Sequence, residues 1–267
     1  MGVLNARSAV NKAALLHDVI ADHQLDILAI TETWMRADDP PAVQLDIAPV
    51  GYSVCHQYRA TTASTSVSSR ASSGGGVAVI YRTHLRCRMI NVTATMNSAD
   101  VLVMKLSVAG GRVNLATTLY RPPTSSDHGT SVNAFCTELT DFIDELLALP
   151  GEVLLTGDFN CPGVQSPTID QRLDMVLHDY NLVQRVDCAT HLGPAGNLLD
   201  LLIHQDGVNI VRRLKVIDVG VADHCLLQCE LFQQHVMQYI KTNLSLLHWH
   251  ITVNYNFISD FVLKIMQ

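Results

Sequence analysis

The sequence predicts a layered α/β sandwich. Three observations point to it. Short runs rich in Val, Leu, Ile and Thr recur along the chain, helical patterns separate only some of them, and no regular strand-helix-strand alternation or internal repeat appears.

Taken in order, Ser8 is placed to cap a helix reaching about His23, with Ala14, Leu15, Val19 and Ile20 on its apolar side. Asp26 to Thr31 is a short apolar strand that runs into Glu32-Thr33-Trp34. Tyr58 to Gly76, a Ser/Thr/Ala/Gly stretch, reads as a surface loop. Gly76 to Arg82, Asp100 to Val108 and Arg112 to Tyr120 follow as strands with partial alternation. The clearest helix spans Ser131 to Leu149, with Val132, Phe135, Leu139, Phe142, Ile143, Leu146 and Leu147 at helical spacing and Pro150-Gly151 as its stop. Further strands are expected over Glu152 to Gly157, Leu198 to His204, Leu214 to Val219 and His224 to Phe232, with a helix over Ile169 to Asp179. The pattern predicts one domain over residues 1–232 and a terminal extension over 233–267, where it lapses.

At 267 residues, 48% hydrophobic and 16% charged, the chain can bury a sizeable core. A net charge of −7 argues against coating nucleic acid by bulk electrostatics. Two local basic clusters, Arg82/Arg86/Arg88 and Arg212/Arg213/Lys215, read singly as solvated strand faces. Seven cysteines without a Cys-x-x-Cys fit reduced thiols in an intracellular protein better than a disulfide framework or a zinc site. Met1-Gly2-Val3-Leu4 leads directly into Asn5 and Arg7, so no signal peptide is expected. No segment has the length and apolarity of a membrane span, and no protein partner is identified.

The chemistry concentrates in two places. Glu152-Val153-Leu154-Leu155-Thr156-Gly157-Asp158-Phe159-Asn160 is an apolar strand that ends by presenting a carboxylate and a carboxamide two residues apart, able to point the same way. Val219-Gly220-Val221-Ala222-Asp223-His224 places an adjacent Asp-His pair before another apolar run. Two such polar pairs at strand edges suit metal-assisted hydrolysis.

These motifs, with Leu4-Asn5-Ala6-Arg7-Ser8, Ile30-Thr31-Glu32-Thr33-Trp34, Gly74-Gly75-Gly76-Val77-Ala78, Leu119-Tyr120-Arg121-Pro122-Pro123 and Leu199-Asp200-Leu201-Leu202, come in the order of a known family. From Val3 to Phe232 the chain resembles the endonuclease/exonuclease/phosphatase superfamily, and within it the apurinic-type endonuclease domain of non-LTR (LINE-like) retrotransposons. The resemblance implies a four-layered DNase-like α/β sandwich with two central mixed β-sheets. It implies Mg²⁺- or Mn²⁺-dependent nicking of DNA, whose 3′-hydroxyl would prime reverse transcription. Glu32 would be the main metal ligand, Asn5 would support the metal or the scissile phosphate, and Asp223 would lie near the metal. Asp158 would orient or deprotonate the attacking water, and Asn160 would hold the phosphate and Asp158 in register. His224 would stabilise the pentacovalent phosphorane, Asp200 would fix the tautomer of His224, and Tyr120 would donate to a phosphate oxygen.

Some departures accompany the match. Ala222 replaces a serine often found before the Asp-His pair, and Pro123 stands where cellular repair enzymes of this branch often have asparagine. The first strand is short before Asn5, which predicts fraying there. Two alternatives stand beside the endonuclease: a metal-dependent phosphatase or phosphodiesterase of the same superfamily, and a catalytically inactive retrotransposon relic. Nuclear action follows from the family resemblance alone, since no basic localisation run supports it. His248 and His250 in the terminal extension lack matching ligands and read as chance.

Overall fold

The computed structural model describes residues 1–59, 74–107, 113–126, 129–194, 196–208 and 210–231. The expectations for the Ser/Thr-rich loop from 60 to 73 and for the terminal extension lie outside these residues.

In chain order the elements are β1 (Gly2–Asn5), α1 (Ala13–Asp22), β2 (Ile27–Thr31), α2 (Pro41–Asp46), β3 (Tyr52–Gln57), β4 (Val77–Arg82), β5 (Arg86–Ile90), β6 (Asp100–Ser107), β7 (Val113–Tyr120), α3 (Val132–Ala148), β8 (Glu152–Asp158), α4 (Gln171–Asp179), β9 (Leu182–Gln184), β10 (Asp200–Gln205), β11 (Val211–Ile217) and β12 (Leu226–Leu231). They form two six-stranded sheets, ordered β11-β12-β1-β2-β4-β3 and β5-β6-β7-β8-β10-β9. Each sheet is antiparallel except for one parallel pair in its middle, β1 with β2 and β7 with β8. The predicted pair of mixed sheets is therefore present.

Alternation along the strands builds the layers. Val3, Ile27, Ala29, Val77 and Val79 join the core shared with the second sheet. The residues between them, Leu4, Leu28, Ile30, Ala78 and Ile80, pack instead with Leu16, Val19 and Ile20 of α1. A period of two thus gives the first sheet two buried faces. On the far side, α3 and α4 cover the second sheet, with Phe135, Leu139, Phe142, Ile143 and Leu146 in one core cluster with Leu155 and Ile203, register partners on one face of β8 and β10. Burial of side chains this large stabilises by roughly 1.5–3 kcal/mol each. The result is four layers, helix–sheet–sheet–helix.

Helix α3 starts as the sequence predicts: Ser131 Oγ accepts from the Ala134 amide at 3.1 Å. Asp170 caps α4 the same way, accepting from Arg172 N at 2.8 Å. The first helix departs from expectation. Ser8 is not its cap; α1 begins at Ala13 with no side-chain cap, and the Ser8 amide instead donates to the Glu32 carbonyl at 2.8 Å. Its buried face is Leu16, Val19 and Ile20, an i, i+3, i+4 set, while Ala14 and Leu15 are exposed. The expected fraying of the first strand is not observed: all four residues of β1 are buried, paired in register with β2 and, at Gly2 and Val3, with β12. The basic clusters sit mainly on edge strands β5 and β11, where Arg86, Arg88, Arg212 and Arg213 are exposed.

Candidate active site

The candidate residues gather at one rim of the sandwich, where the strands of both parallel pairs end. Asn5 is the last residue of β1, Glu32 follows β2, Tyr120 ends β7 and Asp158 ends β8. Two antiparallel strands start at the same rim: Asp200 opens β10, and His224 precedes β12. In the second sheet Tyr120, Asp158 and Asp200 are direct register partners across three adjacent strands.

Asn5 joins the two sheets. Its buried carboxamide donates to Glu32 Oε1 and to Asp158 Oδ2, both at 2.8 Å. Its Oδ1 accepts from the Arg7 amide at 2.9 Å, which assigns the orientation of the amide. The second oxygen of Glu32 accepts from the Trp34 indole at 3.0 Å. Asp158 is buried, and its Oδ1 accepts from the Asn160 backbone amide at 3.0 Å. Burial, the Asp200 carboxylate and Glu32 push the Asp158 carboxyl up to about 8, against the opposing pull of His224 and the Asn5 amide. Gly157 lets Asp158 sit there. Its φ is +125°, and a Cβ would fall 2.0 Å from the Leu119 carbonyl oxygen of the neighbouring parallel strand.

Asp200 and His224 form the second unit. His224 Nδ1 bonds Asp200 Oδ2 at 2.7 Å, with both side chains buried. Burial disfavours the charged imidazole, but the Asp200 bond and the charges of Asp200, Asp158 and Asp223 outweigh it, and the pKa rises to about 9. Thr190 Oγ fixes the start of β10 by accepting from the Leu199 and Asp200 amides at 3.1 and 2.9 Å. Asp200 Oδ1 is buried with no hydrogen-bond partner among the described residues.

Asp223 stands at the edge of this unit. Its Oδ2 pairs with the Arg7 guanidinium and lies 3.3 Å from His191 Nε2. Its Oδ1 is buried without a hydrogen-bond partner among the described residues. Arg7 and His224 hold the carboxyl below its usual range, although desolvation opposes them. On the other flank, Tyr120 is buried beneath the Arg59 guanidinium, 5.3 Å from its ring centre, and Arg59 is paired with Asp100 at 2.6 Å. Burial, Glu32 and Asp158 push the Tyr120 hydroxyl well above its ordinary range, so it remains a donor.

The pair Asp158/Asn160 departs from the period-two expectation. The strand ends at Asp158, Asn160 turns to φ +44°, and its side-chain amide donates to the Arg121 carbonyl at 2.8 Å. Arg121, fully buried, returns the contact by donating to the Asn160 carbonyl at 2.7 Å. Asn160 therefore holds Asp158 through its backbone amide. Arg7, Ser8, Glu32, Trp34 and Asn160 all have positive φ, and all lie at this rim. Such backbone strain clusters at functional sites, where surrounding structure over-determines it.

The structure thus brings Glu32, Asn5 and Asp158 into one hydrogen-bonded chain. It brings Asp158, Asp200 and His224 within 4.8 Å by their ligand atoms, and His191, Asp223 and His224 likewise. No hydrogen bond joins Glu32 to Asp223 among the described residues; Asp223 sits with the histidines. Sequence reasoning assigned no role to Arg7, Trp34 or Arg121, though each lies inside a quoted motif. Arg59, Thr190 and His191 fall in two segments, Tyr58 to Gly76 and Val186 to Asn197, expected only to govern target choice, and no spacing in the sequence marks them singly.

The model of the endonuclease/exonuclease/phosphatase family matches residues 2–224. The chain belongs to this family. No curated protein sequence matches it. Solved structures of similar fold include the 3′ phosphatase NExo from Neisseria bound to a product DNA hairpin, with TM-score 0.64 and 16% identity over 86% of this chain and 98% of that one. The endonuclease domain of TRAS1, a telomere-specific non-LTR retrotransposon, gives TM-score 0.60 and 16% identity over 86% and 97%. The AP endonuclease LMAP from Leishmania major gives 0.62 and 13% over 85% and 86%. These likenesses establish the DNase-like fold.

Enzymes of this family hydrolyse phosphoesters and are generally dependent on a divalent metal. The donor set here fits a hard cation. Carboxylate oxygens of Glu32, Asp158, Asp200 and Asp223 crowd the rim, and two of them, Asp200 Oδ1 and Asp223 Oδ1, are buried without hydrogen-bond partners. Burial first, and then the Asp200 and Glu32 carboxylates, push Asp158 up, so added positive charge here would be favourable. Among the described residues no helix is long and apolar enough to cross a membrane.

Proposed function

We propose that this chain is a Mg²⁺-dependent endonuclease that hydrolyses a DNA phosphodiester, of the kind carried by non-LTR retrotransposons. The observation that carries this reading is the chain Glu32–Asn5–Asp158 set against the buried Asp200–His224 pair.

Glu32 and Asp223 would hold the cation, with Asn5 fixing the orientation of Glu32. When bound, the cation supplies charge that neutralises the phosphate and offsets repulsion among the carboxylates. Asp158, whose carboxyl is pushed up to about 8 by burial and the neighbouring carboxylates, is the group that takes the proton of the attacking water once that positive charge has brought it back to its ionised form. Its two oxygens are held by the Asn5 carboxamide and the Asn160 amide, so the carboxylate plane is set before substrate arrives. His224 stays protonated through neutral pH, and Asp200 occupies Nδ1, which leaves Nε2–H to donate to a phosphate oxygen. Tyr120 donates a second hydrogen bond to the phosphate. Together these donors act on charge that grows in the transition state. DNA as substrate is supported by the fold's likeness to DNA-processing enzymes and by the Tyr-Arg-Pro-Pro motif at 120–123.

The test is nicking of supercoiled plasmid with Mg²⁺ against EDTA, with Asp158→Ala alongside. The expected result is metal-dependent relaxation that leaves a 3′-end extendable by a polymerase and is lost in the variant. Equal nicking by Asp158→Ala removes the assignment. Release of phosphate from 3′-phosphoryl ends with no nicking replaces it with a phosphatase.

A further inference from the structure

His191 belongs to none of the motifs, yet its surroundings are built with care. Its backbone makes an isolated bridge with His224, and the Leu192 amide donates to the Asp223 carbonyl at 2.8 Å. Its ring meets the His224 ring edge-on, with centres 4.9 Å apart and planes at 68°. Both ring nitrogens are engaged. The Gly193 amide donates to Nδ1 at 3.3 Å, and Nε2 lies 3.3 Å from Asp223 Oδ2. A nitrogen that accepts an amide proton carries a lone pair, so the proton of the neutral ring sits on Nε2 and points to Asp223. Gly193 makes this approach feasible: a Cβ there would come 2.6 Å from Cε1 and 2.9 Å from Nδ1 of the ring.

The Arg7 guanidinium and the His191 imidazole therefore converge on the same oxygen, Asp223 Oδ2. The other oxygen, Oδ1, is left buried and without a hydrogen-bond partner. A carboxylate pinned through one oxygen presents the other in a fixed direction. We propose that His191 is a positioning residue that orients Asp223 so that Oδ1 is presented to the divalent cation, and that braces the His224 ring from the side. This rests on the reading of Asp223 as a cation ligand.

The experiment measures Mn²⁺ binding by calorimetry and by the paramagnetic signal of free Mn²⁺, in the full chain without DNA. Loss of an outer partner of a metal ligand typically costs 10–100-fold in affinity. His191→Ala is expected to weaken Mn²⁺ binding by about tenfold, His191→Gln to restore most of it through its amide donor, and Gly193→Ala to reproduce the loss by displacing an intact ring. A melt of each variant reports folding separately. Unchanged Mn²⁺ affinity in His191→Ala, with binding lost in Asp223→Asn, overturns the proposal and leaves the cation reading standing. No Mn²⁺ binding by the wild-type chain overturns both. Nitrogen-15 NMR of the wild-type ring gives a check that needs no variant: a proton on Nε2 and a bare Nδ1 are expected, and the opposite tautomer refutes the inference.

Discussion

Gly157→Ala is the perturbation that most directly links strand packing to the site. Gly157 pairs in parallel register with Leu119, one residue before Tyr120 and Asp158 meet. Its φ of +125° is a conformation that costs a side-chain-bearing residue roughly 1–3 kcal/mol. The added Cβ would also lie 2.0 Å from Leu119 O, 2.9 Å from Leu119 N and 3.0 Å from Leu119 C. All three are backbone atoms, so no side chain can swing aside, and β7 and β8 must part by about 1 Å to reach an ordinary carbon–oxygen contact near 3.3 Å. Overpacking of this kind costs a further ~1–3 kcal/mol. The expected loss is about 4 kcal/mol, a large share of a typical net stability of roughly 5–15 kcal/mol. The assay is urea denaturation, with a thermal melt expected to fall by roughly 8–16 °C. Gly207→Ala supplies the control, since φ is +73° there but no atom lies within 4 Å of the added Cβ. It isolates the conformational cost, about 1–2 kcal/mol. Equal losses in the two variants would refute the clash and the strand separation inferred from it.

Asp200→Asn should lower the His224 pKa from about 9, read by NMR titration of the imidazole. Because the folded value lies above the ordinary 6.5, the pair's contribution to stability is fully present below about pH 6.5 and is lost as pH rises through about 9. Wild type and variant should therefore converge in urea midpoint as pH rises from 6 towards 10; a constant gap contradicts the linkage. Arg121→Leu strips the partly buried carbonyls of Asn160 and Thr130 of a donor and should cost about 2 kcal/mol in urea denaturation, each unpaired group being worth roughly 1 kcal/mol at this burial; a neutral change would remove Arg121 as the anchor of Asn160. Saturating Mg²⁺ should raise the melting midpoint, by about 2.7 kcal/mol of added stability at a hundredfold excess over Kd, and Glu32→Gln should diminish the rise. A rise undiminished in that variant excludes Glu32 as a ligand.

The motifs located the rim because each pairs an apolar strand with a polar residue at its end. Thr31-Glu32 and Gly157-Asp158 are such junctions, and Asp200 opens a strand that continues with the apolar run Leu201-Leu202-Ile203. Inference from periodicity failed where the strand stopped. Asp158 and Asn160 read as facing one way, but a period of two holds only while the backbone stays extended, and it leaves that region at Asn160. Ser8 failed as a cap for a related reason: the Glu32 carbonyl, distant in sequence, takes its amide and holds the chain away from a helix start. Strand β5, Arg-Cys-Arg-Met-Ile, was illegible because an edge strand carries little of the apolar signal that marks a buried one. His191 was illegible because its significance lies in partners it meets only in space.

The meeting of residues more than 150 positions apart follows from strand direction. Neighbouring antiparallel strands end at opposite rims, so only a parallel pair delivers two strand ends side by side. Each sheet has one such pair, and each is flanked at the same rim by the start of an antiparallel strand, β10 in one sheet and β12 in the other. The face that Asn5 shares with Val3 looks toward the second sheet, which is why one carboxamide can hold Glu32 from its own sheet and Asp158 from the other. Rigid strands thus set the distances among Asn5, Asp158 and Asp200. The loops that leave the same rim carry Arg7, Trp34, Arg121, Asn160 and His191. These loops can change in length and composition without moving the strand ends, so discrimination among substrates is expected to reside in them and hydrolysis in the strand ends beneath.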